Sequence, residues 1–279
     1  MTTTLRPAGP LQQTSGGGRS RPFDVCVNSR RVGSLHLSTA PGFGAACGVI
    51  EDLRIDERDR RRGRGTVAAL AAEEVLRGWG CREVQISVPA AAEAALRMAT
   101  ALGYVERSRN MDKDLPREPP VLPPDVGIRR MTEQEYASWA VKAEEEFARS
   151  WMDRGVPEDQ ARAKAEASHR ELLPRGLASP GTEIHVAVRD GQTVGWIWTG
   201  RRELSPGRNG AYVYDIEVAE GSRGRGYGRA LMLLAERVAL DAGQSLLGLH
   251  VFSGNAPALR LYASLGYRTT HVNSYKQVL

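Results

Sequence analysis

The stretch Tyr214-Asp-Ile-Glu-Val-Ala-Glu-Gly-Ser-Arg-Gly-Arg-Gly-Tyr-Gly-Arg-Ala-Leu231 holds the key to the fold. It opens with the apolar alternation of a strand and closes on the first turn of an apolar helix that continues to about Ala242. Glycines at 224, 226 and 228 join the two, permitting turn geometry closed to other residues and close approach to a ligand. Free N–H groups at a helix start, with the positive end of its dipole, suit a phosphate or pyrophosphate, and Arg223 and Arg225 add charge. The Gly-Lys-Ser/Thr ending of a P-loop is absent, and the G-x-G-x-G spacing departs from the dinucleotide fingerprint. An ordinary tight connection is the competing reading of such a turn.

Working outward, the chain repeats itself. Arg62–Leu70 resembles Arg223–Leu231 at an offset of 161 residues, Val32-Gly33 answers Val194-Gly195 at 162, and Leu102-Gly103-Tyr104 answers Leu265-Gly266-Tyr267 at 163. A near-constant offset points to a tandem duplication. The proline-rich run Leu115–Pro124 divides the copies as a semi-rigid linker. The expected organisation is therefore a flexible tail over 1–21, a shortened domain over 22–113, a linker over 114–127 and a complete domain over 128–279.

In the second copy, Ile128–Met131 reads as a strand. Thr132-x-x-Glu135 is a capping box opening a helix to about Ala148, and Pro157 starts another helix. Ile184–Arg189 and Thr193–Thr199 flank the hairpin signal Asp190-Gly191. Strands over Ala211–Val218, Leu246–Phe252 and Arg268–Gln277 and a helix over Ala256–Leu265 complete the order β-α-α-β-β-β-α-β-α-β. The first copy begins at a hairpin over Phe23–Leu37, with no room for the opening strand and two helices. Subtracting 161, Val67 stands at the last glycine of its turn; subtracting the 163 of the later match, Ala92 and Ala99 fall opposite Asn255 and Tyr262.

Arg223-x-x-Gly226-x-Gly228 resembles the acyl-CoA motif of the GNAT superfamily of N-acyltransferases. Asn255-x-x-Ala258-x-x-Leu261-Tyr262-x-x-Leu265-Gly266-Tyr267 resembles the second GNAT signature at every fixed position. The resemblance covers residues 128–279 and, more loosely, 22–113. It implies an α/β fold of two tandem GNAT-like domains, each a central, mostly antiparallel, splayed sheet flanked by helices. It further implies acetyl-CoA, or another CoA thioester, as acyl donor and a small amine as acceptor. Ile216 to Val218 would pair with pantetheine through backbone. Amides of Arg223, Gly224, Arg225, Gly226, Tyr227 and Gly228 would cradle the pyrophosphate. Asn255 would hold the cofactor arm, and Tyr262 would lie near the thioester sulfur.

The chemistry suits these residue types. A carboxylate, Glu217 or its same-face neighbour Asp215, can help deprotonate the amine, and the phenol of Tyr262 can donate to the departing thiolate. Residues 128–279 contain no cysteine, so transfer within that half is direct. Each role has a plainer rival: Tyr262 packing with Leu259 and Leu265, Glu217 as a solvated strand-end carboxylate, Tyr227 packing locally. His250 reads as a core histidine, and Glu144-Glu145-Glu146 either faces a cationic amine or is a solvated helix face.

The charge of +5 favours anionic partners such as CoA or RNA without choosing among them. Much of it is local, in Arg54, Arg58, Arg60, Arg61, Arg62 and Arg64. An alternative of the same fold takes an aminoacyl group from charged tRNA, with the basic first half binding RNA; another is a non-catalytic CoA-binding scaffold. No apolar run is long enough for a membrane span, three scattered cysteines suit a reducing cytoplasm, and no spacing suggests a metal site. Oligomeric state is not encoded in any of these features.

Overall fold

A computed structural model describes residues 3–13, 17–39, 47–123, 126–153 and 156–278; Pro124 of the expected linker lies outside them. The elements are β1 (Thr3–Pro7), β2 (Gln12–Gln13), β3 (Arg19–Val27), β4 (Arg30–Thr39), β5 (Cys47–Ile55), α1 (Arg64–Gly78), β6 (Glu83–Pro89), α2 (Glu93–Ala101), β7 (Val105–Asp114), β8 (Gly127–Arg130), α3 (Glu133–Met152), α4 (Glu158–Leu172), β9 (Glu183–Arg189), β10 (Gln192–Ser205), β11 (Arg208–Val218), α5 (Tyr227–Asp241), β12 (Leu246–Phe252), α6 (Ala256–Ser264) and β13 (Arg268–Gln277).

Two compact units form, one from residues 1–108 and 271–279, the other from 109–270. The boundaries expected at 113 and 128 therefore shift, because each unit closes with a strand delivered from the other half of the chain. In the first unit β13 pairs antiparallel with β6, His271 opposite Pro89 through Gln277 opposite Glu83. Buried ion pairs mark the exchange. Lys276 bonds Glu73 of α1 at 2.7 Å, while Lys113 bonds Glu236 of α5 at 2.7 and 2.8 Å in the second unit. Each pair leaves no buried carboxylate without a cation, an arrangement that loss of one partner would make costly.

The stretch expected as a tail instead supplies β1, an edge strand antiparallel to β3 from Thr3 opposite Val27 to Pro7 opposite Phe23. Its leucine, Leu5, packs on the first core, and Pro7 ends it where a proline is tolerated on an edge. The first copy thus has its opening strand and lacks only the two helices among the described residues. The first unit's order is β1-β3-β4-β5-β6-β13, with β2 beside β3. Its core gathers Val25, Val32, Leu37, Ala72, Leu76 and Val84.

In the second unit β7, β12, β11, β10, β9 and β8 are successive neighbours. Leu231, Met232 and Leu247 are fully buried between α5 and the sheet, each worth about 2–3 kcal/mol of transfer free energy. The capping box at Thr132 and Glu135 forms as the sequence predicts, and the Arg129 guanidinium helps hold the Glu135 carboxyl down to about 2. Asp190 and Gly191, with φ of 51° and 76°, make the hairpin turn. Pro157 precedes α4 as its cap instead of occupying the first turn. On the outer face, Trp139 of α3 meets Trp198 edge-on at 5.7 Å, and Trp198 stacks on Tyr214 at 4.9 Å. These contacts seat the two helices on β10 and β11.

Candidate acyl-transfer site

Strand β11 pairs parallel with β12 only from Ala211 opposite Leu247 to Val213 opposite Leu249. Beyond that point, Asp215 to Val218 run on without a β12 ladder partner, which is the splay that the resemblance implies. On its other edge β11 remains paired with β10, Glu217 opposite Trp196 and Val218 opposite Gly195. A Cβ on Gly195 would lie 2.6 Å from the Glu217 carbonyl, so only glycine lets β10 approach here.

After β11 the chain makes a 3-10 turn at Glu220–Ser222, and Arg223 folds back so that its Nε donates to the Val218 carbonyl at 3.1 Å. Gly224 and Gly226 take φ of 74° and 86°, and Gly226 caps α5 with no side chain filling the helix start. Nothing lies within 4 Å of a Cβ built on either glycine. The turn is thus an open cradle of backbone amides flanked by the exposed Arg223 and Arg225. Its geometry and charge fit a pyrophosphate. Gly228 serves packing: its Cβ position is 3.3 Å from Leu261 of α6. The side chain of Tyr227 is buried in the core, its hydroxyl accepting from Arg189 at 3.0 Å. Only its backbone faces the turn's chemistry.

Asn255 caps α6, its side-chain oxygen accepting from the Ala258 N–H at 3.2 Å. Tyr262, on the buried side of α6, has its ring 6.1 Å from that of Tyr267. Burial, with the Asp215 charge as a second cause, pushes the Tyr262 phenol up to about 12, so it remains a proton donor at neutral pH. Asp215 accepts from the Trp196 indole N–H at 2.7 Å. Desolvation raises its pKa, and the same cause, followed by the charge of Glu146, raises that of Glu217. Glu217 is half-buried and lies 3.5 Å from Lys142 Nζ. Asp215, Glu217 and Tyr262 are therefore electrostatically linked around the splayed end of β11.

Two contributors, Trp196 and Lys142, escaped the sequence reading as site residues; the bond of Asp215 to Trp196 was not foreseen, nor which of the three glutamates would matter, namely Glu146. A weak signal existed for the last, because the Glu144–Glu146 run splits. Glu145 pairs along the helix surface with Arg149 at 3.4 Å, whereas Glu146 shares Lys142 with Glu217. His250 is exposed beside Phe252, contrary to its reading as a core residue, because the strand's alternation turns it outward.

The first unit corrects the alignment of the turn. Arg60 Nε bonds the Ile55 carbonyl at 2.8 Å, as Arg223 bonds Val218. Gly63 caps α1 at φ 71°, as Gly226 caps α5. Gly65 abuts Met98 and Ile55 as Gly228 abuts Leu261 and Val218. The offset is 163 throughout, so Gly65, not Val67, stands at Gly228, and the first turn is a complete Arg60-x-x-Gly63-x-Gly65. Arginines spaced two apart made an offset of 161 look better than it is. Ladder β5–β6 also stops at Ile50, the counterpart of Val213. The chemical groups are nonetheless missing: Arg54 stands for Glu217, Ala92 for Asn255 and Ala99 for Tyr262.

Among the described residues no group of three His, Cys, Asp or Glu is arranged to hold a metal, and no helix is long and apolar enough to cross a membrane. Cys26, Cys47 and Cys81 are free and buried.

Comparison with known proteins agrees with this geometry. Mycothiol acetyltransferases are similar over most of the chain: that of Acidothermus cellulolyticus is 33% identical, covering 86% of this chain and 73% of its own. That of Thermomonospora curvata is 29% identical, covering 91% and 81%. An uncharacterized N-acetyltransferase of Bacillus subtilis, YdgE, is 32% identical over 54% of this chain and 97% of its own. A GCN5-related N-acetyltransferase of Sphaerobacter thermophilus shares the fold, with a TM-score of 0.59 at 20% identity over 92% of this chain and 80% of its own. So does a tandem GNAT protein from the clavulanic acid biosynthesis pathway, with a TM-score of 0.53 at 20% identity over 93% and 83%. The Acetyltransferase (GNAT) family profile matches residues 6–104 and 134–267. The chain belongs to the GNAT acetyltransferase family, in tandem form, and is an acetyltransferase that draws on an acyl-CoA donor.

Proposed function

We propose that the unit formed by residues 109–270 carries out the transfer, moving an acetyl group from CoA to the amine of a small molecule. When bound, the donor supplies a thioester open to direct attack by an amine. The observation that carries this reading is the coincidence, in this unit alone, of the open glycine turn, the Asp215 and Glu217 carboxylates, and the buried phenol of Tyr262. Amides from Arg223 to Gly228 hold the diphosphate, and the backbone of Ile216 and Val218, which lacks a β12 partner, holds the pantetheine arm. Asn255 keeps its amide N–H groups for the same arm, since the helix cap uses only its oxygen.

Glu217, its pKa raised toward neutrality by desolvation and by Glu146, accepts the proton of the incoming ammonium, directly or through water. Asp215 orients Trp196 by accepting its indole N–H. Tyr262 donates its proton toward the leaving sulfur. The mycothiol acetyltransferases that resemble this chain make a small amine acceptor the favoured class, although the acceptor here need not be theirs.

Release of CoA thiol from acetyl-CoA, assayed with a panel of small amines, tests the proposal. Turnover that survives loss of both Glu217 and Tyr262, but falls when the first unit's turn is blocked, would place the chemistry in the other half. Acyl transfer to an amine that proceeds only with charged tRNA would replace the CoA thioester by an aminoacyl-tRNA donor.

A further inference from the structure

Lys142 projects from α3 with half its side chain exposed, and its ammonium rests where three groups converge. Glu146 Oε1, one turn along the same helix, and Glu217 Oε1 on β11 each lie 3.5 Å from Nζ. The indole of Trp196, on β10, presents its face with the centroid 4.7 Å from Nζ. Trp196 is itself fixed by its bond to Asp215. An aromatic face backed by carboxylates is a receptor for an ammonium ion. Both ion-pair distances exceed those of a well-made hydrogen bond, and the groups are half in solvent, so the cation is held without being locked.

We propose that Lys142 is a placeholder: its ammonium occupies the seat of the acceptor's ammonium, between Glu146 and Glu217 and over Trp196. The acceptor is then a compact aliphatic primary amine, positively charged at neutral pH, that displaces Lys142. This rests on the acetyl-transfer reading above, because Glu217 is the group assigned to take the acceptor's proton. Exchange of one ammonium for another leaves the charge of the seat unchanged, and the freed lysine has solvent to enter. Neutral amines lack the charge to compete. Lys142 is thus a specificity-determining residue.

The test compares wild type with Lys142→Met, which keeps the chain length and removes the charge. n-Butylamine is the cationic probe, and methoxyamine, uncharged near neutrality, is the control. Two loose ion pairs and one cation–π contact together amount to about one decade of affinity. Lys142→Met should therefore lower both the calorimetric Kd and the KM for n-butylamine about tenfold, with the methoxyamine KM moving less than about twofold. Glu146→Gln should raise the n-butylamine values by several-fold and serves as an independent check.

An unchanged or raised Kd and KM for n-butylamine in Lys142→Met would overturn the placeholder while leaving acetyl transfer intact. Tighter n-butylamine binding with no thiol release by either protein would do the reverse, preserving the seat and sinking the catalytic reading.

Discussion

At an offset of 163 residues, the two strand-to-helix turns of this chain share a backbone and differ in what surrounds it. Both begin with a 3-10 turn, fold an arginine back onto the preceding strand and cap a helix with a glycine of positive φ. The residue before that cap by two is Gly224 in one and Arg61, at φ 58°, in the other. The supports diverge. Tyr227 anchors the second turn in an apolar core. In the first, Arg64 takes that position and pairs with the buried Asp59, which also receives two bonds from Arg30 at 2.8 and 2.9 Å. Further along the strand, Arg54 replaces Glu217 and bonds Asp52, the counterpart of Asp215, at 3.1 Å. A phosphate cradle made of main chain can outlast the side chains that do chemistry, since an apolar anchor in one copy and an ionic anchor in the other each maintain it.

The largest effect should come from the first turn's ionic anchor. Asp59→Ala leaves the buried Arg64 without its carboxylate, and loss of one partner of a buried pair costs roughly 3–5 kcal/mol. Chemical denaturation should report a loss of that size, whereas Ser222→Ala, at the matching place, should change stability by less than about 0.5 kcal/mol. Equal effects would mean that the two turns are supported alike.

The next comparison concerns chemistry. Glu217→Gln and Tyr262→Phe should each lower kcat about 10²-fold, the usual scale of a lost acid or base, with CoA affinity held within about twofold. Arg54→Glu, which copies the carboxylate into the first unit, should yield no added thiol release, because Ala99 still supplies no phenol. A wild-type rate in Tyr262→Phe would return that residue to its packing role beside Tyr267.

Valine in place of the cap glycines distinguishes the two cradles by ligand. A β-branched residue at φ 86° is strained by about 1–3 kcal/mol and crowds the amides. Gly226→Val should weaken CoA binding about tenfold or more by calorimetry and lower kcat/KM with it. Gly63→Val should leave turnover within about twofold. If the first turn's variant proves the damaging one, the division of labour is reversed.

Much of this was legible in the sequence where one residue type had one physical use. The Thr132 and Glu135 box, the Asp190-Gly191 turn and the span Leu246–Phe252 formed as read, because caps, tight turns and apolar strands are local matters. The turn's offset was misread because Arg62-Gly-Arg-Gly65 and Arg223-Gly-Arg-Gly226 match letter for letter, while only hydrogen bonds reveal which glycine caps the helix. Strand exchange left no local trace, since Lys113 and Lys276 are interchangeable as partners for Glu73 and Glu236. Lys142 and Trp196 stayed hidden for a similar reason: nothing within α3 or β10 indicates that they meet over β11.

The smallest effect is a matter of sign, and it tests whether Glu217 is the base. Its pKa is raised, first by desolvation and then by the charge of Glu146, while the ammonium of Lys142 lowers it. A base works deprotonated, so kcat/KM should fall as pH drops through that raised value, which places the acid limb above the ordinary carboxylate range. Glu146→Gln removes a raising charge and should carry the limb to lower pH. Lys142→Met removes a lowering charge and should carry it the other way. Methoxyamine is the acceptor for these profiles, since its amine is neutral down to far lower pH than an alkylamine, and each profile is corrected for the acceptor's own protonation. Shifts in the same direction, or a limb that persists in Glu217→Gln, would assign the proton to another group, and the one already bonded to Trp196 is Asp215. The first unit offers no such carboxylate to move: at the corresponding position stands Arg54.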